Sequence, residues 1–179
     1  MPDDRALKQI LKSQYHASLA MLRNAVEQCP DELWYDATPT NAFWQVAYHT
    51  MFFAHFYLQP NDAAFRPWPG HQGNVQHSDG IAGPADPRST LPLIPAPYSK
   101  AQVLAYGEFC DALLDDAVDA LDLESASSGF SWYAMPKLEH QLVNIRHIQH
   151  HAAQLNLILR QTTDSAPRWV ARAKTRASD

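Results

Sequence analysis

The chain has 179 residues, of which 46% are hydrophobic and 18% charged, and its formal net charge is −5. That length suits one domain with a proper core, and the composition excludes a disordered or fibrous protein. The acidic balance, with Lys and Arg scattered until the tail, gives no footprint for a nucleic-acid partner.

The first predicted element is a helix over about residues 4–28, where Leu7, Ile10, Leu11, Ala17, Met21, Leu22 and Ala25 recur at three- and four-residue spacing. Asp3 or Asp4 can cap it and Pro30 closes it. The preceding Met-Pro-Asp-Asp-Arg run has no apolar signal core, so export is not expected. His16 on this helix is read as a surface or packing residue.

A second helix is expected from Thr40 or Asn41, both good N-caps, to Leu58. It is apolar nearly all round, as a central bundle helix would be. Gln45, His49, Thr50 and His55 interrupt it, so it falls short of the roughly 20 apolar residues of a membrane span. His49 shares a face with Ala42, Val46, Phe53 and Phe56, while His55 points nearly the opposite way and is read as a surface or packing residue.

Residues 59–98 hold most of the prolines and glycines and keep no regular period. A stretch this long inside one domain is commonly functional or mobile. Trp68, His71 and His77 fit a lid, but solvated loop positions are the preferred reading.

Ser99 with Gln102 resembles a capping box and opens a third helix to about Leu121. Its inward face is expected to hold Val103, Tyr106, Cys110, Leu113, Ala117 and Leu121. Asp111, Asp115 and Asp119 form an outer acidic row, read as a solvated face. Cys29 and Cys110 lie in separate segments and are read as buried thiols of a reduced cytoplasmic protein in preference to a lone disulfide.

A loop with Gly129 and Trp132 leads to Pro136, which suits the first turn of a fourth helix reaching about Thr162. Ser165 with Pro167 is expected to start a short terminal helix before a basic, frayed tail. No strand alternation persists and no internal repeat is evident. The predicted fold is all-α, a four-helix bundle with one long crossover between its second and third helices.

The fourth helix carries the chemistry. At about 100° per residue, His147 and His151 stand about 40° apart, with Gln154 about 20° to the other side of His147. They share an arc with Val143, Ile148, Leu155 and Ile158, where polar groups are costly unless satisfied. An inward His-x-x-x-His pair is a ready bidentate metal site. A third ligand must come from another helix, and His49 is the best candidate. Three histidines would leave a coordination position open, as in a catalytic site. Gln154 and Asn144 would orient a ring nitrogen or a bound water. His150 sits at the edge of the stripe with a solvent-facing or interfacial role. His140, nearly two turns away, is expected to line the mouth of the site or to bond to backbone. On spacing alone, core histidines bonded to backbone carbonyls remain an equal alternative.

The string Asn144-Ile-Arg-His147-Ile-Gln-His150-His151-Ala-Ala-Gln154-Leu155 resembles the last-helix motif of the DinB-like superfamily, His-x-x-His-His-x-x-Gln. Val46-Ala-Tyr-His49-Thr-Met-Phe is similar to the setting of that family's earlier ligand. The resemblance covers about residues 4–160. It implies an up-down-down-up four-helix bundle holding a divalent metal, usually zinc or nickel, on His49, His147 and His151, and often a homodimer. It also implies activity with low-molecular-weight thiols, as in S-transferases and thiol-dependent isomerases. Ala152-Ala153 stands where an Arg-Gly is common, and the 59–98 insert is longer than expected.

The reading preferred at this point is a divalent-metal-dependent enzyme, a thiol-dependent S-transferase or a related hydrolase or isomerase, acting on a small molecule. The alternatives are a non-catalytic metal- or small-molecule-binding protein and a bundle whose histidines meet no metal. Neither cysteine has a motif that marks a nucleophile, and Glu139 is read as a helix-surface residue.

Overall fold

The computed structural model describes residues 3–36, 41–73 and 96–173. Among them are five α-helices and one 3-10 turn, with no strand. The helices are α1 (Asp4–Gln28), α2 (Asp31–Trp34), α3 (Phe43–Tyr57), α4 (Lys100–Asp119) and α5 (Lys137–Thr163). None is long and apolar enough to cross a membrane. The four long helices follow the periodic segments of the sequence. The single turn of α2, which docks on α3, is too short for periodicity to mark.

Local chemistry sets the helix ends. Asp3 Oδ1 accepts the Arg5 N–H at 3.2 Å and starts α1. α3 begins one residue later than an Asn41 cap and two later than a Thr40 cap would set it, because Gln45 Oε1 reaches back to the Ala42 N–H at 2.7 Å and Ala42 takes the N-cap position. Thr40, the other candidate cap, lies outside the described residues. The Ser99–Gln102 box forms, with the Ser99 N–H donating to Gln102 Oε1 at 2.8 Å. Pro136 caps α5 from just outside it. Asp164 ends α5 in the left-handed region at φ 53°, a position Asp tolerates better than most residues.

α1 packs on α4 and α5, α3 packs on the same two helices, and α1 and α3 meet only marginally across the middle. α3 is buried on nearly every side, which explains its lack of a polar face. Around it lie the fully buried side chains of Tyr15, Leu22, Trp34, Tyr98, Tyr106 and Leu155. Leu22 and Leu155 each contribute about 1.5–3 kcal/mol by leaving water. The Trp34 indole N–H still finds the Tyr98 carbonyl at 2.8 Å.

Three expectations are corrected. The inward face of α4 is Val103, Tyr106, Cys110, Leu114 and Val118, while Leu113 and Ala117 are only partly buried. The face rotates by one residue because the acidic row is not simply solvated. Asp119 Oδ2 receives Lys12 Nζ at 2.7 Å, and Asp111 and Asp115 take the two ring nitrogens of buried His16 at 2.7 and 2.9 Å. Lys12 and His16 are one turn apart on α1, so two rows four residues apart mate along the α1–α4 seam.

The third correction is the terminal helix. Residues 164–173 run without helix, with Pro167 buried and Ala166 and Val170 against the core. Pro167 lacks an N–H and disfavours the helical region at the residue before it. Ser13 Oγ and Gln14 Nε2 of α1 each donate at 3.3 Å, to the carbonyls of Ala173 and Ala171 respectively. The tail is therefore tied down as far as it is described.

The crossover is anchored at both described ends. Tyr48 stacks on His71 and its hydroxyl donates to His71 Nδ1 at 2.6 Å. Tyr98 Oη donates to the Gly70 carbonyl at 2.8 Å, and Trp68 stacks on Tyr106. Trp68 and His71 are thus packed residues rather than solvated ones. His77 and residues 74–95 lie outside the described residues.

Candidate metal centre

Three imidazoles converge between α3 and α5. His147 Nε2 lies 3.1 Å from His49 Nε2 and 3.1 Å from His151 Nε2. Their ring centroids are 4.6–5.1 Å apart, and the rings meet at steep angles. Each offers one nitrogen within 4.8 Å of the other two. The i, i+4 spacing on α5 stacks two of them one turn apart, and the α3–α5 packing delivers the third. His49 and His151 are buried, while His147 keeps some exposure.

The donor set fits a cation. Ligand nitrogens about 2.0–2.1 Å from a tetrahedral metal lie about 3.3 Å from one another. Without a cation, one proton can serve only one of the contacts between facing lone pairs. His147 is held neutral, its pKa lowered to about 3 chiefly by burial and then by repulsion from His151, His49 and His150. Its Nδ1 is buried with no hydrogen-bond partner among the described residues.

Gln154 supports the set from outside. Its Oε1 accepts from His151 Nδ1–H at 2.7 Å, which leaves the His151 Nε2 lone pair facing inward. Its amide nitrogen reaches exposed His150 Nε2 at 3.2 Å. His150 therefore stands at the rim, its ring 5.0 Å from that of His151.

Asn144 and His140 do not join the cluster. Asn144 is buried, and its Nδ2 donates to the Ala54 carbonyl at 3.2 Å. It belongs to a polar seam with Gln141, which accepts from Tyr15 Oη at 2.8 Å and donates to the Tyr57 carbonyl at 3.2 Å. His140 neither lines the mouth of the site nor bonds to backbone. The 128–133 loop folds over it, so that Tyr57, Phe130 and Tyr133 surround its ring at 4.9–5.0 Å. Neither of its nitrogens has a partner among the described residues, and burial, with Lys137 nearby, lowers its pKa to about 4.

Sequence reasoning missed Phe53 as a site residue. Its ring lies 4.8 Å from that of His49 and 5.8 Å from that of His147, walling one side of the centre. Its position four residues after His49 was a usable signal. Two cavities, of about 230 Å³ beside His16 and about 320 Å³ beside Lys137, have none of the three histidines in their walls. The convergent nitrogens, rather than cavity size, mark the site.

The fold and the site together define an all-helical protein with a tris-histidine centre built between two helices. A family model described as the DinB superfamily matches residues 14–155, a span that includes all three histidines. The chain belongs to the DinB superfamily. No curated protein and no solved structure was found to match it.

Proposed function

We propose that the protein is a divalent-metal-dependent enzyme that joins a low-molecular-weight thiol to a small electrophile, a thiol-dependent S-transferase or a related hydrolase or isomerase. The observation that carries this reading is the approach of three imidazole Nε2 atoms to within contact distance across two helices. His49, His147 and His151 would hold the cation, with zinc or nickel as the expected metal. When bound, the cation supplies Lewis acidity, lowering the pKa of a thiol or water and polarising an electrophile. The net transfer forms a sulfur–carbon bond, expels the leaving group, and releases the thiol proton to water.

The chain's own groups orient and exclude. Gln154 sets the His151 tautomer, and Phe53 shields one side of the imidazoles from water. The partial exposure of His147 leaves an approach from solvent. The protein's cysteines do not supply the sulfur. Both are buried, with Cys29 pushed up to about 12 by desolvation and Cys110 raised further. Glu139 is exposed and makes no visible contribution. The ring of α1, α5, α3 and α4 is read as a four-helix bundle in up-down-down-up order, acting as a cytoplasmic homodimer.

Metal analysis after chelator-free purification, followed by turnover of monochlorobimane with a panel of thiols, tests the reading. One equivalent of metal per chain and thiol-dependent turnover are expected, both lost in His147→Ala with the helical signal intact. No uptake on titration with zinc or nickel would reject the metal centre. Stoichiometric metal without turnover for any thiol would favour the second reading, a non-catalytic metal- or small-molecule-binding protein.

A further inference from the structure

A continuous row of aromatic rings leads away from the histidine centre. Phe53 touches the His49 and His147 rings. Phe56 follows at 6.2 Å, and Trp132 lies parallel to Phe56, 4° between planes with centroids 6.1 Å apart. Phe53 and Phe56 are partly exposed and Trp132 is 53% exposed. Apolar surface concentrated beside a polar centre marks a binding site more often than scattered exposed residues do.

The row is held from below. Phe65 packs edge-on to Phe56 at 4.8 Å, and the Trp132 ring packs against that of buried Phe130 at 5.6 Å. The loop that presents Trp132 turns at Gly129, at φ 85°, where a Cβ would collide with the Pro60 carbonyl. An exposed indole fixed in this way is pre-organised, so a ligand laid on it need not order it.

We infer that Phe53, Phe56 and Trp132 form a shelf that binds the flat, uncharged ring of an aromatic electrophile beside the histidine centre. This deepens the proposed function and rests on it for the word electrophile. Aromatic faces accept offset or edge-on rings, whereas a flexible alkyl chain gains only area. A benzylic halide fits the description. Its ring lies on the shelf, the thiol sulfur bonds to its benzylic carbon, chloride leaves with the bonding pair, and the thiol proton passes to water.

The test has a binding arm and a kinetic arm, both on the full chain. Calorimetric titration with 2-naphthol should show saturable binding, weakened about tenfold in Trp132→Ala and restored in Trp132→Phe. Trp169→Ala, which removes an exposed indole elsewhere, should bind as the unaltered chain does. Trp132→Leu replaces the alanine variant if the latter loses its helical signal. In the metal-loaded protein, Trp132→Ala should raise KM for benzyl chloride about tenfold with kcat held and leave KM for n-butyl chloride unchanged. Unchanged 2-naphthol affinity in Trp132→Ala, or in Trp132→Leu where that replaces it, or equal KM changes for the two halides, would overturn the shelf. Trp132-dependent naphthol binding with no turnover for any thiol would remove the transferase reading and leave the shelf standing.

Discussion

Gln154 links the sequence to the chemistry at the scale of one side chain. A histidine ligand works only if its ligating nitrogen carries a lone pair, and the 2.7 Å bond from His151 Nδ1 to Gln154 Oε1 enforces that tautomer. Gln154→Ala should therefore lower metal affinity about 10–100-fold with the helical content unchanged, as read by competition against a chelator. Gln154→Glu, which keeps an acceptor, should retain most of it. Equal affinity in all three proteins would show that Gln154 does not orient the ring. His140 makes the opposite case. Its two nitrogens, inside an aromatic cage and without a partner among the described residues, cost stability. His140→Phe should thus raise the unfolding free energy by about 1–3 kcal/mol in denaturant titration. A destabilised variant would mean that those nitrogens have partners.

At the scale of elements, the 120–136 connection decides how α5 meets α3. Lys137 Nζ donates to the Pro60 carbonyl at 2.9 Å and also to the Ser128 carbonyl, stapling this connection to the end of α3. Gly129 is the residue that permits the close approach. Gly129→Ala should cost about 1–3 kcal/mol for the positive φ alone, with more from the collision with Pro60, and thermal melts will read it. An unchanged midpoint would show that the turn can relax. Helix starts were legible where the cap is local, as at Asp3 and Ser99. The start of α3 was not, because Gln45 caps it from inside the helix and Ala42 carries no capping oxygen. The unwound 164–173 segment also escaped, since its hydrogen bonds come from α1.

At the scale of the whole molecule, three histidines outside the centre give stability a dome against pH. His16, paired with Asp111 and Asp115, has its pKa raised chiefly by the Asp111 bond. Its contribution is full below about 6.5, the unfolded value, and is lost as pH rises through the raised folded value. His55 and His140 are lowered to about 4 by burial, so the unfolded chain binds protons that the folded one refuses. Stability should fall as pH drops from about 6.5 towards 4. Melting curves of the metal-free protein should show both limbs. His16→Asn should flatten the alkaline limb and leave the acid one, and an identical profile in that variant would contradict the assignment. Metal should also raise the unfolding free energy, by about 2.7 kcal/mol at a hundredfold excess over Kd, and His147→Ala should abolish that gain. A shift that survives in the variant would place the bound metal elsewhere.

The chain's periodicity alone determined four long helices and put His147, His151 and Gln154 on one stripe, because helical geometry relates residues three and four apart without reference to the rest of the molecule. Only packing could decide that His49, almost a hundred residues earlier, brings its Nε2 to 3.1 Å from that of His147. It also turned Asn144 to the Ala54 carbonyl and closed an aromatic cage on His140. Contacts between helices depend on their relative rotation and on which loop covers them, and neither is written in the spacing of residues along one helix.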